Sequence, residues 1–226
     1  MAAKRKTSKR KKLKIAVLIS GRGSNLQALI DAQKNKGYPA EIVLVLSNVA
    51  GAPGLARAKK ARLPIAVVSH KDFAGREPFD AAMTAAIEAA GAELVCLAGF
   101  MRLLTDAFIA RWRDKLVNIH PSLLPAFKGL HVHERVIETG ARFSGCTVHF
   151  VRPEMDTGPI VAQAVVPVRA DDDADAVAAR VLEQEHKIYP LAVKLIAEGR
   201  VRVVNEIAVI DGATAPKGAL INPGRV

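Results

Sequence analysis

The chain alternates between two kinds of apolar patterning. Short runs rich in Val, Ile and Leu carry few polar positions: "LKIAVLIS" (13–20), "EIVLVLS" (41–47), "PIAVVS" (64–69), "AELVCLAG" (92–99) and "KLVNIH" (115–120). Strands covered on both faces read this way. Between them lie stretches with helical spacing, from about Ser24 to Gln33, Gly51 to Arg62 and Glu77 to Ala90, with a shorter one after Thr105. Pro53 falls in a first turn, where its missing N–H is no loss. This alternation predicts an α/β fold: a single Rossmann-like domain whose mostly parallel sheet is flanked by helices.

The pattern then changes. "GCTVHFV" (145–151) and "PIVAQAVVPV" (159–168) read as two strands joined through "RPEMDTG", which predicts antiparallel strands in the C-terminal half. A long helical pattern runs from Asp175 to Glu198, and Pro190 is expected to kink or delimit it. "RVRVVNEIAVI" (200–210) has the form of a closing hairpin. No repeat or second composition regime divides 13–210, so that span is read as one domain. Residues 211–226, with their Gly and Pro, are read as an irregular tail.

Charge changes the picture less than it first suggests. The net charge of +11 over 226 residues points to nucleic acid or an anionic surface. Yet Lys4, Arg5, Lys6, Lys9, Arg10, Lys11, Lys12 and Lys14 form a run of eight cations with no acid among them. Taking these eight from 33 basic residues leaves 25 against 22 acidic ones, a net of +3. The basicity is thus mostly an arm, residues 1–12, expected to be solvated and disordered, with no specific nucleic-acid site. Cys96 and Cys146 are isolated among apolar neighbours, which reads as two reduced, packed thiols. "LKIAVLIS" is too short to span a membrane. The expectation is a cytoplasmic protein without membrane contact, monomeric or a homodimer.

Candidate chemistry gathers where strands are predicted to end, since ligands of open α/β sheets bind beyond the carboxyl ends of the strands. Asn118 and His120 alternate on one face of the fifth strand just before Pro121. An amide nitrogen and a protonated imidazole are both donors suited to charge developing on a carbonyl oxygen. A nearby carboxylate would orient the ring, and Asp156 in "MDTGP" is a candidate. The competing readings are a hydrogen-bonded strand end for His120 and a turn-shaping residue for Asp156. "SGRGSNLQAL" (20–29) follows the first strand, and the amides of Gly23, Ser24 and Asn25 open a helix there. That is a phosphate cradle, or only a helix start capped by Ser24. His131 and His133 with His120 raise a three-histidine metal site, but no carboxylate or thiolate spacing supports one, and no metal is expected. His149, alternating with apolar residues, is read as packing or hydrogen-bonding within the sheet.

Taken in order, "VLISGRGSNLQALI", "LAGFMRLL", "NIHPSLLPAFKGLH", "GCTVHFV", "MDTGPI" and "EQEHKIYP" resemble the phosphoribosylglycinamide formyltransferase branch of the folate-dependent formyltransferases. The similarity runs from about Leu13 to Ile210. It implies transfer of a formyl group from 10-formyltetrahydrofolate, the cosubstrate, to the amine of glycinamide ribonucleotide in purine synthesis. By motif position, His120 and Asn118 would hold the formyl oxygen and Asp156 would keep His120 protonated. Gly23, Ser24 and Asn25 would take the ribonucleotide's phosphate, and Glu185 would lie near its amine or ribose. Arg76 would line the folate site. Met101, Arg102, Leu103 and Leu104, with Asn118 and the loop Arg152, Pro153, Glu154, Met155 and Asp156, would hold the folate, largely through backbone groups. Three positions depart from the family's habit: Leu182 stands where a polar or basic residue is common near the phosphate, Thr147 replaces a common Ser, and Thr157 a common Gly. Formyltetrahydrofolate deformylase shares the same three polar residues and is the nearest alternative. A nucleotide-binding module without catalysis is the other.

Overall fold

The computed structural model describes residues 11–224. The reading of residues 1–12 as a basic arm therefore falls mostly outside what is described. Seven strands form one sheet in the order β3-β2-β1-β4-β5-β6-β7. β1 (Leu13–Ile19), β2 (Ala40–Ser47), β3 (Ile65–Val67), β4 (Leu94–Leu97) and β5 (Leu116–His120) pair in parallel. β6 (Phe143–Phe150) and β7 (Ile160–Pro167) continue the sheet antiparallel. β8 (Val201–Val204) and β9 (Ile207–Ile210) make a separate antiparallel hairpin. The predicted class is the observed one.

Alternation along the strands divides the core in two. Ile15, Val17, Ile19, Val117 and Ile119 face α1 (Ser24–Lys34), α2 (Pro53–Lys60), α5 (Val132–Glu138) and α6 (Ala174–Ala197), where Leu26, Leu29, Val136, Val181 and Val193 meet them. Ala16, Leu18, Val95 and Leu116 face α3 (Arg76–Ala89) and α4 (Asp106–Arg111) through Phe79, Met83, Ile87 and Phe108. Because side chains on a strand alternate, the apolar runs supply both layers at once.

The long helical pattern read from Asp175 to Glu198 is α6, Ala174–Ala197, and Pro190 does not end it. The proline removes one backbone donor, but its carbonyl accepts the Tyr38 hydroxyl at 2.9 Å and flanking Tyr189 and Ala192 are fully buried. Packing here outweighs the lost bond. The short helix α5, which the apolar spacing did not suggest, is held by Val132 and Val136, one turn apart and buried.

Candidate active site

The order of the sheet reverses at β1, whose chain leaves first towards β2 and later returns to β4 on its other side. The segments after β1 and β4 therefore flank a crevice at the carboxyl edge, the natural ligand site of such a sheet. After β1, Gly23 adopts a left-handed conformation (φ 69°) and precedes α1 with no side-chain cap. The first helical bond runs from Gln27 N to Gly23 O at 3.0 Å, so the amides of Ser24, Asn25 and Leu26 precede the bonded part of the helix. No acid occupies that first turn. Ser24 therefore starts the helix rather than capping it.

Gly54, which the sequence reading missed, sets this turn. Its N–H donates to Gly21 O at 2.9 Å, and a Cβ on Gly23 would stand 2.7 Å from its Cα. Across the cradle, Asn25 Nδ2 donates to Glu185 Oε2 at 2.7 Å from buried positions. Burial pushes the Glu185 carboxyl above its ordinary pKa, and the Asn25 bond only partly offsets that. Asn25 Oδ1 is buried without a partner. Leu182, one turn earlier on α6, is half-buried.

At the end of β5, Asn118 and His120 lie on one face, as strand alternation predicts, and the loop between β6 and β7 brings Asp156 to them. Asp156 Oδ2 stands 3.5 Å from His120 Nδ1 and accepts the Gly129 N–H at 2.9 Å. Asp156 itself is left-handed (φ 53°), a conformation Asp tolerates better than most residues. His120 Nε2 faces the Phe127 carbonyl at 3.0 Å. Both ring nitrogens thus face groups that can only accept hydrogen bonds.

His149, read as packing or hydrogen-bonding within the sheet, does the latter and joins this cluster. Antiparallel pairing sets it opposite Asn118. Its Nδ1 lies 2.9 Å from Phe150 O and its Nε2 3.3 Å from Asn118 Nδ2. Burial lowers its pKa, more than the Phe150 bond and Asp156 raise it. The neutral ring donates from Nδ1 and accepts at Nε2, which fixes the Asn118 amide with its nitrogen towards His149 and leaves that nitrogen a second hydrogen. Asp156 Oδ1, 3.7 Å from Nε2, is then a neighbour rather than an ion-pair partner.

The remaining predicted positions divide. Met101 and Leu103 are exposed apolar side chains after β4, with Arg102 exposed between them and Leu104 half-buried. Their segment is anchored where Met101 N donates to Ser20 Oγ at 2.8 Å. Pro153, Glu154 and Met155 are exposed on the loop that carries Asp156. Arg76, at the start of α3, is exposed. The Arg152 guanidinium is buried against Asp114 and Glu206. His131 is exposed beside Glu134 and His133 is half-buried. Among the described residues no three His, Cys, Asp or Glu are grouped to hold a metal ion, so the three-histidine alternative is not formed. No helix there is long and apolar enough to cross a membrane.

Residues 13–193 match the formyl transferase family. The chain belongs to that family. Phosphoribosylglycinamide formyltransferase of Haemophilus influenzae is 46% identical over 209 residues, which are 92% of this chain and 99% of that one. The trifunctional purine biosynthetic protein adenosine-3 of Drosophila melanogaster is 48% identical over 210 residues, again 92% of this chain but 16% of that protein. The chain thus spans nearly the whole of the first relative and a small part of the second. Among solved family structures, glycinamide ribonucleotide transformylase 1 from Symbiobacterium toebii superposes with a TM-score of 0.86 at 42% identity, covering 88% of this chain and 94% of that one. A formyltetrahydrofolate deformylase from Burkholderia mallei has the same fold at 28% identity and a TM-score of 0.81, covering 89% and 70%.

Proposed function

We propose that this chain transfers the formyl group of 10-formyltetrahydrofolate to the amine of N1-(5-phosphoribosyl)glycinamide, a step of de novo purine synthesis. The observation that carries the reading is the Asp156 carboxylate at 3.5 Å from His120 Nδ1, beside Asn118 and next to an uncapped helix start. The amides of Ser24 and Asn25 hold the phosphate, aided by the positive end of α1. Ribose hydroxyls supply what Glu185 and the unpartnered Asn25 Oδ1 lack. The folate lies along Met101–Leu104 and the loop 152–156, between apolar side chains and backbone groups.

The amine attacks the formyl carbon, and the carbonyl electron pair moves onto oxygen. The free hydrogen of Asn118 Nδ2 and the His120 Nε2–H stabilise that oxygen, with the formyl group displacing the Phe127 carbonyl from the ring. The ammonium of the tetrahedral intermediate loses a proton as N10 of the folate leaves and gains one. Asp156 holds His120 in its charged form while those protons move. The products are tetrahydrofolate and the formylated amide.

A deformylase would use the same three residues with water as nucleophile. The ribonucleotide cradle at Gly23–Asn25 and Glu185 favours the transferase. The deciding assay supplies 10-formyltetrahydrofolate with and without glycinamide ribonucleotide. Tetrahydrofolate release that requires the amine, with one formyl group gained per folate released, is the expected result. Equal release without the amine would replace the transferase with the hydrolase.

A further inference from the structure

The β8–β9 hairpin stands apart from the seven-stranded sheet, yet its tip reaches the loop that carries Asp156. Asn205 and Glu206 at that tip are both left-handed (φ 50° and 60°). Glu206 Oε2 accepts from Arg152 Nε and Glu206 Oε1 from Arg113 Nη2, each at 2.5 Å. Asp114 Oδ1, from the turn before β5, takes Arg152 Nη2 at 2.7 Å, and Val151 O takes Nη1 at 3.1 Å. The Arg152 side chain is only 8% exposed, whereas Asp114 and Glu206 are 44% and 54% exposed. A buried cation held by half-exposed carboxylates differs from an ordinary surface pair: removing one carboxylate leaves the guanidinium short of partners where water does not replace them.

Arg152 touches both legs of the loop. It opens the loop after β6, and its stem lies against the returning leg at Gly158. A Cβ at Gly158 would stand 3.2 Å from Arg152 Cγ and 1.7 Å from Phe150 O. Asp156 sits between these two fixed points, in a left-handed conformation that its surroundings must hold. We propose that Glu206 is a positioning residue: through Arg152 the tip of the β8–β9 hairpin braces the loop 151–159 and so sets Asp156 against His120 and shapes the folate side of the site. Asp114 is the second foot of the brace. This inference rests on the proposed formyl transfer for its kinetic readout, but not for its structural one.

The test uses the full chain and the variants Glu206→Gln, Glu206→Asp and Asp114→Asn. Wild-type turnover with both substrates is measured first. Glu206→Gln is expected to raise KM for 10-formyltetrahydrofolate about tenfold and lower kcat about threefold, with KM for the ribonucleotide within about twofold. Hydrogen exchange of amides 154–157 quickens while that of α1 does not. Glu206→Asp restores most of the loss, and Asp114→Asn reproduces it in part. The inference is overturned if folded Glu206→Gln and Asp114→Asn proteins keep wild-type folate KM and loop exchange. It is equally overturned if both KM values and exchange throughout the domain rise together, which marks a merely structural role. Should the wild type transfer no formyl group, the functional reading fails while exchange, which needs no substrate, still decides the brace.

Discussion

Replacing His120 by Ala removes the proposed donor to the reacting oxygen and empties the position between Asp156 and Phe127, and replacing Asp156 by Asn removes the charge facing the ring. Each change is expected to lower kcat by about two to three orders of magnitude. Because the proposed folate contacts are spread over Met101–Leu104 and the loop, the dissociation constant of tetrahydrofolate should stay within a few-fold. Steady-state rates paired with calorimetric titration make the check, and near-wild-type turnover in either variant would remove these residues from the chemistry. Gly23→Ala tests the proposed cradle for the other substrate. The added methyl meets Gly54 Cα at 2.7 Å in a left-handed backbone, a strain of about 1–2 kcal/mol that distorts the cradle. KM for the ribonucleotide should rise about tenfold while that for the folate holds. Asn118, His120 and the glycine turn were legible in the sequence, since strand alternation and helix starts are local properties. His149 was not: a histidine among apolar residues of a strand is ambiguous until the antiparallel register sets it opposite Asn118. The Arg152 pairing was hidden for a like reason, its partners lying 38 and 54 residues away.

Elements matter here chiefly as clamps on the strands that end in the site. α6 contributes Tyr189, fully buried, whose hydroxyl donates to Leu97 O at 2.8 Å with Val117 O at 3.4 Å. The helix is thereby stitched to Leu97, the last residue of β4, and to Val117 of β5, next to Asn118. Tyr189→Phe leaves buried Leu97 O without that donor and is expected to cost about 1–3 kcal/mol. Denaturant unfolding followed by circular dichroism measures it, and a loss below about 0.3 kcal/mol would mean a replacement donor exists. The same helix shows periodicity outweighing a breaker. Pro190 breaks a helix in isolation, but the apolar period read from Asp175 to Glu198 runs through it, with Tyr189 and Ala192 buried and the Tyr38 hydroxyl donating to the Pro190 carbonyl. In α5 periodicity fails: seven residues with two buried valines are too few to reveal a period, and tertiary packing rather than propensity forms the helix.

For the whole molecule, acid should act in two stages. His133, His149 and His186 all lie below the ordinary imidazole value of 6.5 when folded, in each case mainly through burial. The unfolded chain therefore takes up protons first as pH falls through about 6.5. Stability is complete above that value and declines below it until the folded rings also protonate. For each such proton the slope is at most about 1.4 kcal/mol per pH unit. Asp172 works lower on the scale. Two bonds from Arg180, at 2.7 and 2.8 Å, are the main cause that brings its carboxyl from 3.8 down to about 2, with the Arg169 amide adding to it. Its contribution is present above about 3.8 and disappears as pH falls towards 2. Unfolding free energies from pH 8 to about pH 2 should thus show a decline below 6.5 that His149→Gln makes shallower. Asp172→Asn should be less stable than wild type at neutral pH and converge on it in strong acid. The two variants separate the stages because one ring lies against β5 and the other carboxylate closes the β7–α6 turn, with no partner in common. A wild-type curve flat between pH 7 and pH 5 would show that the buried imidazoles keep ordinary affinities. The lowered proton affinity of His149 would then have to be abandoned, and its neutral, Asn118-orienting form would no longer persist through mild acid.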